Sequence, residues 1–149
     1  MRILVYQWKA YNYADICEAF TNLGYEYVTL EQDLSNYDED PEFEEKLAQV
    51  IRKESCGMVF TVNYFALITG VCAREGIPYV VWTCDNPLIS MYHQKVFHPC
   101  NYFFTFDKTN CLEFQGMGVE HIWYLPLAVN TERIGYLLNN CSDLFAYEN

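Results

Sequence analysis

The chain has 149 residues, with 20 acidic and 9 basic side chains and a net charge of −11 at neutral pH. This length accommodates one substantial hydrophobic core but not two ordinary domains. The negative charge and the scattered basic residues argue against binding to nucleic acid or to an anionic lipid surface. No apolar run approaches the roughly 20 residues that span a bilayer, and the first residues do not form a signal peptide. We therefore expect a cytoplasmic protein without a transmembrane segment.

The seven cysteines are odd in number, and the closest two, Cys100 and Cys111, are eleven positions apart. Zinc sites and dithiol redox sites are typically marked by cysteine pairs about two to four positions apart. The three histidines, His93, His98 and His121, show no metal-ligand spacing either. We therefore predict no metal site. The cysteines lie mostly in apolar runs, where a reduced thiol packs as a small hydrophobic group.

Short β-branched or aromatic runs alternate along the chain with amphipathic segments. Asn12 and the pair Asp40-Pro41 are predicted to start the first two helices. Gly24 and Gly76 are predicted to end the first and third helices. The rhythm predicts six strands with helices between them, the strands lying at 3–6, 25–30, 58–62, 79–82, 102–106 and 122–125.

Apolar strands that are each followed by a crossover helix indicate a parallel sheet with right-handed connections. Six such units predict a three-layer, doubly wound α/β fold of the Rossmann-like type, with the strand order 3-2-1-4-5-6. We assign this domain to residues 1–135. The less patterned residues 136–149 are interpreted as a tail or as the start of an interdomain connection.

Polar and aromatic residues follow the predicted strands, at the edge where open parallel sheets bind their ligands. With the predicted order, the crevice lies between the loops after the first and fourth strands. Trp8 and Tyr11, in the first of these loops, either bind a ligand or cap the core. Asp85, which precedes Asn86 in the second loop, either serves a ligand or bonds the backbone of its own turn. Asp107, after the fifth strand, is interpreted as the cap of the next helix.

The turn after the first strand lacks glycine, because none occurs between Tyr6 and Gly24. A dinucleotide-binding fold needs glycines here so that its backbone approaches the pyrophosphate, and a P-loop needs a glycine-rich turn that ends in Gly-Lys-Ser or Gly-Lys-Thr. We therefore expect this domain to bind no nucleotide phosphate and no cofactor. Aromatic rings stack on the C–H faces of sugars while amides and carboxylates bond the hydroxyls, so this loop suits a carbohydrate.

Five short motifs occur in an order that is familiar from one protein family. They are Tyr6-Gln7-Trp8, Val62-Asn63-Tyr64-Phe65, Trp82-Thr83-Cys84-Asp85-Asn86-Pro87, Phe106-Asp107-Lys108 and Leu125-Pro126-Leu127-Ala128-Val129-Asn130. Together they resemble the N-terminal domain of bacterial glycosyltransferase-like proteins related to spore maturation protein B (CgeB-like). The resemblance covers residues 1–135, and its strength lies in the order of the set rather than in any one motif.

This resemblance implies one half of a GT-B architecture, in which two Rossmann-like domains face each other across a cleft. The first domain mainly binds a carbohydrate or glycosylated acceptor, and the second mainly binds a nucleotide sugar as co-substrate. The resemblance implies that Asp85 is the general base if the reaction inverts configuration, and that this chain is inactive without the second domain. The residues expected to line the acceptor pocket are Trp8, Tyr11, Asn63, Tyr64, Asn86 and Asn130.

The main alternative is a non-catalytic module that uses the same residues to recognise a saccharide or a partner protein. A signalling domain is disfavoured by the residues Gln7-Trp8-Lys9 after the first strand. A receiver domain needs clustered acidic residues there to hold magnesium, and a flavodoxin needs a loop rich in hydroxyl groups and glycine.

Overall fold

The computed structural model describes residues 1–140. Of the predicted tail, residues 136–140 belong to the last helix, and residues 141–149 lie outside the described part of the chain. The strands are β1 Arg2–Gln7, β2 Glu26–Glu31, β3 Cys56–Val62, β4 Tyr79–Thr83, β5 Asn101–Thr105 and β6 Ile122–Tyr124. The helices are α1 Tyr13–Asn22, α2 Pro41–Lys53, α3 Ala66–Glu75, α4 Lys108–Gly116 and α5 Thr131–Asn140, with two 3-10 turns at Ile89–Tyr92 and Gln94–Phe97.

All six strands pair in parallel, which confirms the predicted α/β fold. The predicted strand order was wrong, because the sheet runs β2-β1-β3-β4-β5-β6 rather than 3-2-1-4-5-6. The physical reason lies in the burial of two strands. In β2 only Leu30 is buried, and glutamates stand at both ends, which suits a strand at the edge of a sheet. The last four residues of β3 are all buried, so this strand needs a neighbour on each side and helices on both faces.

One face of the sheet carries most of the hydrophobic core. The helices α2, α3 and α4 and the two 3-10 turns cover this face, where Leu4, Val81 and Phe103 are completely buried. Because right-handed crossovers place successive helices on one face while the strands advance in one direction, the connections from β2 onward all lie on this side.

The other face is covered mainly by α1, since the chain moves in the opposite direction only between β1 and β2. Ile16 and Cys17 of α1 pack there on β1 and β3. Over β5 and β6 this face carries half-buried and exposed aromatic rings that stack between neighbouring strands. Phe104 and Trp123 have ring centroids 5.5 Å apart, and the same face carries the stacked rings of Tyr102 and His121.

The predicted helix signals agree with the structure in part. The carboxylate of Asp40 accepts a hydrogen bond from the N–H of Phe43 at 3.1 Å, as expected for a helix cap. Gly24 and Gly76 adopt the left-handed backbone conformation after α1 and α3, with φ of 77° and 68°. Asn12 precedes α1, but its side chain forms no cap bond. No helix within residues 1–140 is long and apolar enough to cross a membrane.

Candidate functional site

The observed strand order moves the expected ligand crevice by one strand. The chain changes direction between β1 and β3, so the loops that begin at Trp8 and at Asn63 flank the switch point, and the loop of Asp85 lies next to them. The predicted placement, between the loops after the first and fourth strands, was therefore wrong because β3 lies between β1 and β4. We call the surface formed by these three loops the carboxyl edge.

Trp8 connects the two strands that flank the switch point. Its indole N–H donates to the carbonyl oxygen of Val62 at 2.6 Å, and its ring packs edge-on against Phe65 with a centroid distance of 5.9 Å. The half-buried side chain thus joins the end of β1 to the end of β3 and contributes to the core. In contrast, Tyr11 in the same loop is 98% exposed. This loop therefore presents one anchored aromatic ring and one ring that stands in solvent.

Asn63 joins the turns after β3 and β4. Its amide Nδ2 donates to the Oδ2 of Asp85 at 2.6 Å, and its Oδ1 accepts from the backbone N–H of Cys84 at 2.9 Å. Its backbone is left-handed, with φ of 62°, a conformation that asparagine tolerates better than most residues. The side chain is 4% exposed and both of its polar atoms are used. Asn63 therefore holds Asp85 in place instead of presenting its amide to a ligand.

Tyr64 lies in the core, which corrects its predicted place in the acceptor pocket. Its hydroxyl is hydrogen-bonded to Thr69 at 2.9 Å, and its ring packs against Tyr79 and Phe103. Burial raises the pKa of this hydroxyl well above its ordinary value. The side chain turns inward because Tyr64 leads into α3, whose first turn packs on the covered face of the sheet. It is 2% exposed and does not reach the carboxyl edge.

Asp85 and Asn86 are exposed in the turn after β4, where the Asn86–Pro87 peptide bond is cis. Asn86 donates through Nδ2 to the Oδ2 of Asp107 at 2.5 Å. The other oxygen of Asp107 accepts from Thr109 N–H at 2.8 Å, which confirms its interpretation as the cap of α4. The bond between Asn86 and Asp107 connects the turns after β4 and β5, and the Oδ1 atoms of Asp85 and Asn86 have no hydrogen bond within residues 1–140.

Asn12 and Cys84 belong to the carboxyl edge and Tyr37 lies beside it, although none of the three was among the predicted site residues. Asn12 donates through Nδ2 to the Sγ of Cys84 at 3.5 Å, which links the loops after β1 and β4. Burial raises the pKa of the Cys84 thiol, so it is protonated at neutral pH and is a poor nucleophile. Tyr37, from the acidic loop before α2, stacks on Phe65 with a centroid distance of 6.3 Å. An aromatic residue in an otherwise acidic loop is the signal that identifies Tyr37.

Asn130 lies apart from the other predicted site residues. It caps α5 by accepting the N–H of Arg133 at 3.0 Å, and it donates to Asp15 and Glu18 of α1. The carboxyl edge thus brings together Trp8, Asn63 and Asp85, while Asn130 belongs to the contact between α1 and α5. Within residues 1–140, no group of three or more His, Cys, Asp or Glu side chains is arranged to hold a metal ion.

Comparison with solved structures finds distant likenesses in fold. No family model and no curated protein matches the sequence. The fold is similar to that of a LacI-family transcriptional regulator, CCPA, from Weissella paramesenteroides, whose crystal structure contains bound glucose. The TM-score is 0.47 and the sequence identity 15%, over 78% of this chain and 40% of that chain. This chain therefore spans about two fifths of the regulator, and a likeness this distant identifies neither a family nor a ligand.

Proposed function

We propose that the chain is the acceptor-binding domain of a glycosyltransferase that moves a sugar from a nucleotide-sugar donor to an acceptor hydroxyl. The carboxyl edge supports this proposal, because Trp8 and Tyr11 occupy the turn in which nucleotide-binding domains place glycines. A polypeptide backbone that carries bulky rings at this turn does not wrap around a diphosphate. In this proposal the nucleotide sugar is held by a second Rossmann-like domain, as the motif resemblance implies.

The acceptor would be a carbohydrate bound at the carboxyl edge. The exposed ring of Tyr11 offers a stacking surface for a sugar, and Asn86 and Asp85 offer an amide and a carboxylate to its hydroxyls. Trp8 supports the loop that carries Tyr11. The net charge of −11 favours a neutral or cationic acceptor over an anionic one.

Asp85 is the group that would remove the acceptor proton in an inverting reaction. Asn63 holds its Oδ2, which leaves Oδ1 for the proton of the acceptor hydroxyl. The deprotonated oxygen would then attack the anomeric carbon of the donor, and the bond from that carbon to the nucleotide diphosphate would break. The proton would end on Asp85 and the electron pair on the departing diphosphate.

Replacing Tyr11 tests where the acceptor binds. We expect Tyr11→Ala to weaken the binding of an acceptor saccharide about tenfold, which corresponds to about 1.4 kcal/mol, because the stacking surface is lost. Titration calorimetry with a panel of neutral oligosaccharides measures this change. Tyr25→Ala is the matched control, since Tyr25 is also exposed but precedes β2 at the opposite end of the sheet. Equal affinities of the two variants would place the acceptor elsewhere.

A second experiment tests whether this domain binds the acceptor and a second domain binds the nucleotide sugar. The isolated chain is expected to show no transfer from UDP- or GDP-sugars and no tight binding of these nucleotides. Tight nucleotide binding would reverse the assignment of the two halves, and steady turnover by the chain alone would refute the need for a second domain.

A non-catalytic saccharide- or protein-binding module is the second candidate function. The observation that favours it is the exposure of Asp85, one oxygen of which already bonds Asn63 within the turn. Asp85→Asn distinguishes the two functions in a polypeptide that carries both domains. A transferase would lose turnover while it still binds the acceptor, whereas a module would show no turnover before or after the substitution.

A further inference from the structure

A groove lies on the α1 face of the sheet, and neither Tyr11 nor Asp85 lines it. It runs between α1 and residues 128–134, and it has a volume of about 480 Å³. The ring of Trp82 in β4 lines it beneath these two segments. Small-ligand sites typically have volumes of roughly 300–1,000 Å³, so this groove is large enough for one or two sugar-sized rings.

A hydrogen-bonded network fixes the two walls of the groove relative to each other. Asn130 Nδ2 donates to Asp15 Oδ1 and to Glu18 Oε2, both at 3.1 Å. Arg133 Nη1 is paired with Asp15 Oδ2 at 2.7 Å, and its backbone N–H bonds the Oδ1 of Asn130. Planar side chains that are held in this way are oriented before a ligand arrives, which lowers the entropic cost of binding.

The same walls carry donors and acceptors that have no partner within residues 1–140. They include the Oδ1 of Asn12, the amide of Asn22, the indole N–H of Trp82, the hydroxyl of Thr131, the carboxylate of Glu132, the second oxygen of Glu18, and the Nε and Nη2 of Arg133. Arg133 offsets the charge of Asp15, while Glu18 and Glu132 also line the groove, so its surface disfavours anions and offers both acceptors and donors. A ligand whose groups both donate and accept, such as a hydroxyl, matches this mixture best.

An apolar strip completes the groove. The ring of Trp82 lies beside Ile16 and Ala19 of α1, with Val129 and Ile134 on the opposite wall. Val129 and Ile134 are exposed in spite of their apolar character. A ligand with one apolar face and a polar rim covers such a strip while its hydroxyls meet the walls.

We propose that this groove binds a neutral, polyhydroxylated ligand of the saccharide class, with a C–H face against Trp82 and its hydroxyls on the side chains of α1 and Thr131–Arg133. This inference rests on the groove alone and is independent of the acceptor role assigned to the carboxyl edge. Because Asn12 lines the groove and also bonds Cys84 at the carboxyl edge, the two sites are adjacent. One oligosaccharide would then extend from one site into the other.

The test compares two alanines of α1, both exposed, of which only Ala19 lines the groove. Maltotriose, cellotriose and chitotriose are titrated into the ¹⁵N-labelled full chain. The expected result is a shift of the Trp82 indole and the Asn22 and Asn130 amide signals with at least one probe. Ala19→Phe, which fills the groove, is expected to weaken binding at least tenfold, whereas the control Ala14→Phe leaves it unchanged.

Asn22→Ala provides a second variant that removes a groove amide without adding bulk, and we expect it to weaken binding about threefold. Shifts confined to Trp8 and Asn63 would overturn the groove proposal and leave the proposed function intact. Shifts in the groove alone, sensitive to Ala19→Phe, would support the groove and count against acceptor binding at the carboxyl edge. No shift with any of the three probes at millimolar concentration, or binding that survives Ala19→Phe, would overturn the groove proposal.

Discussion

The two faces of the sheet use neighbouring residues of the same strands and yet reach different degrees of burial. In β5, Phe103 points to the face covered by α2, α3 and α4 and is completely buried, whereas the adjacent Phe104 on the other face is half-buried. The sequence is equally aromatic at both positions. The difference arises from topology, because four of the five crossovers place their connections on one face. The burial of a strand residue thus depends on which helices cover its face of the sheet as much as on its own hydrophobicity.

Truncating the two phenylalanines separately tests whether the two faces of the sheet are packed differently. We expect Phe103→Ala to lower the free energy of unfolding by about 3–5 kcal/mol, as a cavity in a packed core does. Phe104→Ala should cost only about 1–2 kcal/mol, since its side chain is only partly buried and its ring stacks on Trp123. Urea denaturation of both variants measures the two values, and equal losses would show that both faces are packed alike.

The starts of α1 and α2 extend the comparison from strands to helices. Asp40 caps α2 on the covered face, whereas Asn12 makes no cap bond to α1 on the other. We expect Asp40→Ala to cost about 1 kcal/mol and Asn12→Ala less than about 0.5 kcal/mol. Thermal unfolding of the two variants tests this order, and a larger loss for Asn12→Ala would contradict it.

The contribution of Asp40 should depend on pH. Hydrogen bonds from Phe43 and Ser35 lower the pKa of its carboxyl below the ordinary value of 3.8. A carboxyl whose pKa is lower in the folded state stabilises the fold above its unfolded pKa, and this stabilisation is lost as the pH falls through the folded pKa. The difference in stability between wild type and Asp40→Ala should therefore be constant from pH 7 to about pH 5 and shrink below pH 4. A difference that grows on acidification would exclude this role.

A small effect is also expected at the contact between α1 and α5. Arg133 and Asp15 form a partly exposed ion pair, so Arg133→Gln should cost less than about 1 kcal/mol. The loss should decrease further at high salt, because exposed charges are screened. Chemical denaturation at about 0.05 M and 1 M salt tests both statements. A salt-independent loss above this range would show that the pair supports the face more than its exposure suggests.

Local features of the fold were accessible from the sequence, whereas the order of the strands was not. Asp40, Asp107 and Gly76 were identified because caps and stops depend on a few neighbouring residues. Strand order depends on which strands can tolerate an edge. The glutamates of β2 indicate an edge strand, but the alternation of strands and helices alone is compatible with several strand orders.

The candidate site was predictable to a similar extent. Trp8, Asn63 and Asp85 meet at one edge because the ends of parallel strands must do so. The inward direction of Tyr64 and the separate position of Asn130 depend on how α3 and α5 dock, which no local pattern encodes.

The strand order also places β2 and β6 at the two edges of the sheet, where a strand of another molecule can pair with them. At β2 the glutamates Glu26 and Glu31 would repel an incoming strand of another molecule. At β6 the residues Ile122, Trp123 and Tyr124 carry no charge, and within residues 1–140 the shortness of this strand is the feature that limits its pairing with another strand. In concentrated solution, intermolecular strand addition is therefore expected at β6 before β2, and a lysine introduced at Trp123 would be the first choice for keeping the chain dispersed.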